Sequence, residues 1–163
     1  MIRRSRYPAT FLFVALTITA CAAPPDIPSS LGGLPQTHTL QGSDGLKEIN
    51  RLHGRSIPSL DAFVAHYERD NAVAMLYISR SYIAPMARWQ LSRMVKGIRK
   101  GEANAEGQFF HLKAREQDGV TLYSAVGTGQ IHYFYRSGPL IVWLAADPSV
   151  AQAALADTVR LVR

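Results

Sequence analysis

The chain carries one thiol, Cys21, and five imidazoles, His38, His53, His66, His111 and His132, with 12 Asp and Glu against 18 Lys and Arg. None of these groups is spaced for catalysis. The serine-nucleophile patterns Gly-x-Ser-x-Gly and Ser-x-x-Lys do not occur, and Gln41-Gly-Ser-Asp-Gly45 has the wrong spacing for either. No two His have the His-x-x-x-His spacing of a helical metal site. If Phe110, Leu112 and Ala114 point inward, and Ile131, Tyr133 and Tyr135 do likewise, His111 and His132 face outward on one sheet surface, but the further ligands a metal requires are missing. Gly127-Thr-Gly129-Gln-Ile-His132 approaches a dinucleotide fingerprint, yet its last Gly is replaced by His132 and it joins two expected strands, so a phosphate would find no helix N-terminus. The carboxylates are scattered, with Glu116 and Asp118 on an expected turn. The expectation is a protein that is not an enzyme and that has no metal or cofactor.

Two constellations suggest binding instead. Between Asn71 and Gly101 there are six basic residues and no acid. Over 85–100 the helical period places Ala87, Leu91, Met94, Val95 and Ile98 on one arc, and Arg88, Arg93, Lys96, Arg99 and Lys100 opposite, with Trp89 on the basic side. This face is either solvated, with Trp89 under a neighbouring loop, or a docking face for an acidic partner protein or anionic lipid headgroups, anchored by Trp89. The second constellation is an aromatic sheet face on which Tyr123, His132, Phe134 and Arg136 could contact a small ligand.

The N-terminus bears on where such binding would occur. Arg3, Arg4 and Arg6 precede a 12-residue apolar run over 9–20, and Cys21 follows. Charged head, apolar middle and small residues make the layout of a secretory signal, and the run is well short of the roughly 20 residues of a membrane-spanning helix. Ile18-Thr19-Ala20-Cys21 resembles the lipobox of bacterial lipoproteins. That resemblance implies cleavage before Cys21, lipid on its thiol, acylation of the new amino group with a chain such as palmitate, and a durable membrane anchor. Ala22, where Asp would signal inner-membrane retention, implies sorting to the outer membrane of a Gram-negative envelope, with the domain facing the periplasm. Losing three Arg with the signal lowers the formal net charge from +6 to +3, too mild for a nucleic-acid partner. With Cys21 lipidated, no disulfide could form within the domain.

The elements that must position these groups follow from period and punctuation. At 47% apolar and 18% charged over 163 residues, the chain suits one packed domain with appendages. The expected division is a signal peptide over 1–20, a lipid anchor and flexible tether over 21–44, rich in Pro and containing Gly32-Gly33, and a single domain over 45–163. Leu46, Ile49 and Leu52 mark a short helix closed by Gly54. Ser59 is expected to cap a second helix with Leu60, Phe63, Val64 and Tyr67 on one stripe. Residues 72–79 read as a buried strand, 85–100 as the basic helix, and 108–115, 120–126, 130–136 and 140–146 as an antiparallel meander with turns at Asp118-Gly119, Gly127-Thr-Gly129 and Ser137-Gly138. Asp147 then caps a final helix with Val150, Ala154 and Leu161 inward. The order is α-α-β-α-β-β-β-β-α, an α+β fold with an antiparallel sheet of about five strands and helices packed on it. Its ending, from the Ser137-Gly138 turn through Asp147-Pro148 to the last helix, is loosely similar to small exported PsbP-like α/β domains. The resulting expectation is a lipid-anchored accessory protein of the cell envelope acting through protein–protein binding, with a small-ligand binder or sensor as the alternative.

Overall fold

Two-residue turns carrying glycine or Asp-Asn set most of the architecture, because each returns the chain antiparallel to the strand it has just left. Residues 26–101, 108–117 and 119–162 are described by a computed structural model of the chain. In chain order they form β1 (Ser30–Leu31), β2 (Leu34–Gln41), α1 (Gly42–His53), β3 (Asp61–Arg69), β4 (Ala72–Arg80), α2 (Ala84–Arg99), β5 (Phe110–Gln117), β6 (Val120–Gly127), β7 (Gln130–Ser137), β8 (Leu140–Ala146) and α3 (Ala151–Leu161). The eight strands make one antiparallel sheet in the order β1-β2-β3-β4-β8-β7-β6-β5. The fold is α+β, with the sheet covered by helices on both sides. On one face α3 packs over Phe63, Ala65, Tyr67, Leu76, Val142 and Leu144. On the other, α1 covers Ala62, Val64 and Tyr77, while α2 covers Ala125 and Phe134, with Trp143 packed against both clusters.

The sheet begins earlier than the sequence pattern suggests. The stretch expected as the end of a flexible tether supplies β1 and β2, with Leu31 and Leu34 buried. Gly32 has φ +60° and its amide donates to the Asp157 carboxylate of α3 at 2.7 Å. A Cβ at Gly32 would lie 2.8 Å from the Ala154 backbone nitrogen, so this glycine permits a close approach rather than slack. Most of β2 is polar because β1 pairs with only its first two residues, leaving a largely exposed edge on which Thr, Gln, His and Pro35 are at home. Residues 1–25, which hold the expected signal, Cys21 and Ala22, lie outside the described residues, as does Asp118 of the β5–β6 turn.

The helix expected after Ser59 is strand β3. It pairs with β4 residue for residue from Asp61 opposite Arg80 to Arg69 opposite Ala72, across an Asp70-Asn71 turn in which Asp70 has φ +55°. Phe63 and Val64 belong to opposite faces, and the run 62–65 is buried throughout. A strand buried on both sides is apolar at nearly every position and therefore also satisfies a helical stripe. The observed order is thus β-β-α-β-β-α-β-β-β-β-α, and three strands are added to the five expected. The other elements fall where the pattern places them, including α1, which ends at Gly54 in the left-handed conformation. Asp147 does not cap α3, whose N-cap is Val150. Its carboxylate instead accepts from the Val73 amide at 2.8 Å and the Gln130 side chain at 3.1 Å, joining the start of β4 to β7.

Candidate functional site

Helix α2 starts with Pro85 in its first turn and has three distinct sides. Ala87, Leu91 and Val95 are buried against the sheet, with Met94 and Ile98 half-buried beside them. Opposite them, Trp89, Arg93, Lys96 and Lys100 follow one another at helical spacing and form a solvent-facing ridge. Among the described residues no loop covers Trp89, which is 55% exposed, and the Arg93 guanidinium sits 5.2 Å from the centre of its ring. A shallow groove of about 330 Å³ runs past Trp89, Arg93, Gly97 and Lys100. The third side, carrying Arg88, Ser92 and Arg99, borders a cleft between α2 and strands β6 and β7.

Exposed apolar side chains also lie just outside the helix. Tyr82 and Ile83, each 57% exposed, immediately precede α2, and Leu60 at the start of β3 is also exposed. Gln90 ties these segments together by accepting from the Ser81 hydroxyl and donating to the Pro58 carbonyl at 2.8 Å. The sequence reading did not single out Tyr82, Ile83 or Leu60. The run Tyr82-Ile83-Ala84-Pro85-Met86 was the available signal, since it places apolar side chains outside a helix whose own core face is already filled.

Charge on α2 is unbalanced. Elsewhere Lys47 pairs with Asp44 at 2.8 Å, Arg51 with Glu48 at 2.6 Å, and Arg160 with Asp157. Among the described residues, Arg88, Arg93, Lys96 and Arg99 have no acidic partner. Such side chains remain available to an external anion.

The expected aromatic ligand surface divides in two. Tyr123 and Arg136 reach the cleft beside α2. Phe134 is fully buried in a stack, with ring centres 4.6 Å from Trp143 and 5.3 Å from Tyr123. His132 is also buried and does not face outward, because helices cover both sheet faces. Its Nε2–H donates to the Gly127 carbonyl at 3.0 Å, and its Nδ1 accepts from the Trp143 indole at 3.2 Å. Burial pushes the imidazole pKa down, partly offset by the Gly127 bond, so the neutral ring is favoured. His111, by contrast, is exposed at the irregular start of β5. Among the described residues, no group of three or more His, Cys, Asp and Glu is placed to hold a metal ion.

Comparison with known proteins returned no match. No family profile, curated protein or solved structure matches this chain. What it binds must therefore be inferred from its own surface. Among the described residues no helix is long and apolar enough to cross a membrane.

Proposed function

We infer that this is a lipid-anchored accessory protein of the bacterial cell envelope, held at the membrane through Cys21 and docking an acidic partner protein on the ridge of α2. The observation that carries the docking role is the exposed Trp89 with Arg93 packed on its ring, where Arg93 and the neighbouring Lys96 have no acidic partner among the described residues. An aromatic–arginine pair offers a large contact area at small conformational cost, the composition on which binding hot spots concentrate. Tyr82 and Ile83 expose further apolar surface just before the helix, and the dent at Gly97 gives a partner side chain a place to enter. The lipobox Ile18-Thr19-Ala20-Cys21 supports the anchor, and with it an outer-membrane location facing the periplasm.

The test compares full-length chains recovered from crosslinked membranes. Wild type is expected to carry a discrete acidic envelope protein. Reversing Arg93 and Lys96 to Glu should remove that adduct, while reversing Lys47 and Arg51 on α1 should leave it. Cys21→Ser should abolish labelling by radioactive palmitate, because a hydroxyl does not replace the thiolate as acceptor. An adduct that survives the α2 reversal refutes the docking face, and palmitate labelling that survives Cys21→Ser refutes the anchor. If the α2 ridge sediments with anionic vesicles and captures no protein, the partner is the membrane itself.

A further inference from the structure

The cleft beside α2 differs from the ridge in shape. It is a half-open concavity of about 650 Å³, flanked by α2 on one side and by β6 and β7 on the other. That volume falls within the roughly 300–1,000 Å³ of small-molecule sites, whereas a convex helix ridge suits a macromolecular surface. Arg88, Lys96 and Arg99 enter from the helix and Arg136 from the sheet, so four cations from opposing walls line one cavity. No Asp or Glu lines it among the described residues. Glu116 lies across the β5–β6 pair from Thr121, where its carboxylate accepts the Thr121 hydroxyl at 2.7 Å. Like charges gathered around one concavity repel one another, and an anion entering it is attracted by all of them at once.

We propose that this cleft binds a phosphate group carried by a small organic molecule. A lone carboxylate is satisfied by a single bidentate arginine, whereas a terminal phosphate offers three oxygens and up to two charges, enough for donors arriving from both walls. Arg136 is held in place by its Nη1 donating to the Gly138 carbonyl at 2.8 Å, which leaves its other N–H groups for a ligand. Leu91, Val95 and Val120 supply apolar lining for the organic part, and Tyr123 is braced from behind by its stack on Phe134. The site is distinguished from the docking ridge by lacking Trp89 and Arg93, although Ser92 and Lys96 border both. The phosphate could belong to a soluble ester or to a phospholipid headgroup, and the recognising chemistry is the same.

Full-length protein in nonionic detergent at low ionic strength, titrated with inorganic pyrophosphate, tests the site. Saturable binding is expected. Affinity should fall at least about tenfold in Arg136→Gln and in the double variant Arg88→Gln/Arg99→Gln, whose positions on the exposed side of α2 leave the fold intact. It should stay within about twofold in Arg93→Gln, which alters only the ridge. In a second arm, vesicles containing phosphatidylglycerol are added. Vesicle binding that pyrophosphate displaces assigns the phosphate to a headgroup, and pyrophosphate binding without vesicle binding assigns it to a soluble ester. Absence of saturable pyrophosphate binding overturns the proposal, even if vesicles bind. So does an Arg93→Gln loss as large as that of Arg136→Gln, which would mean diffuse attraction rather than a site.

Discussion

Helices α1 and α2 lie on the same face of the sheet and are held in the same way, yet their charges are arranged differently. Each buries one apolar side, Ile49 and Leu52 in α1 and Ala87, Leu91 and Val95 in α2. In α1 the outward charges answer one another. Asp44 pairs with Lys47, and Glu48 with Arg51, each three residues apart. The hydrogen bond from Lys47 and its charge hold the Asp44 carboxyl below the usual range, and Arg51 does the same for Glu48. Asp44 also sits in the first turn and Arg51 in the last, the order that complements the helix dipole. Helix α2 has no acid in its first turn, and Arg88, Arg93, Lys96 and Arg99 have no acidic partner among the described residues. The charges of α1 are neutralised within the helix; in α2 Lys96 and Arg99 complement the dipole from the last turn, but its four cations are not neutralised by acids among the described residues.

The comparison breaks first if the two helices are not equally anchored. Leu52→Ala in α1 and Leu91→Ala in α2 should each cost about 2–5 kcal/mol in urea unfolding, because each deletes a buried side chain and leaves a cavity. A cost below about 0.5 kcal/mol for either would mean that the helix is rotated or loosely docked.

A pH series probes the layer beneath α2. Because His132 has its pKa lowered by burial, the unfolded chain takes up a proton below about pH 6.5 that the folded chain resists. Its contribution is therefore full above pH 6.5 and declines as pH falls toward the lowered folded value. Urea midpoints at pH 7 and pH 5 should differ more in wild type than in His132→Gln. Equal differences would show that His132 takes up its proton in the folded state about as readily as in the unfolded one.

Smallest are the effects of surface charge on stability. Arg51→Ala should cost about 0.2–0.5 kcal/mol at low salt, the worth of an exposed helical pair. Replacing Arg93, Lys96 and Arg99 together by Gln should change stability little. Added salt should then stabilise wild type more than this triple variant, because screening relieves repulsion that the variant lacks. The same salt response in both would mean that the α2 cations are compensated after all.

How far the fold could be read from sequence depended on how each strand is exposed and connected. The strands β6 to β8 alternate or run apolar between glycine turns, and α2 has one apolar and one basic side, so pattern and structure agree there; β5 lies where the pattern puts it, but as the edge strand it leaves Phe110 and Ala114 exposed rather than inward. Strand β3 was misread because Ala62, Phe63, Val64 and Ala65 are all buried, erasing the period that distinguishes strand from helix. The Asp70-Asn71 turn carried the missing information. Strand β2 was misread because an edge strand is mostly polar and its composition resembles a linker. In the candidate site, Arg88, Trp89, Arg93, Lys96, Arg99 and Lys100 lie on one helix and were legible from period alone. That Arg136 and Tyr123 join Arg88 and Arg99 in one cleft was not legible, because it depends on α2 crossing over β7 and on β6 pairing with β7. His132 was placed on an outward surface because nothing in its own strand shows that a second helical layer lies above it.

The central claim, that α2 presents its charge to a partner and α1 does not, is tested most directly by site-specific photo-crosslinking in intact cells. Benzoylphenylalanine at position 89 keeps an aromatic ring on the ridge, and the same residue at position 47 places it on exposed α1. The account predicts a discrete adduct with an acidic envelope protein from position 89, lost when Arg93 and Lys96 are reversed to Glu, and none from position 47. An adduct of equal yield from position 47, or one at position 89 that survives the reversal, would contradict it.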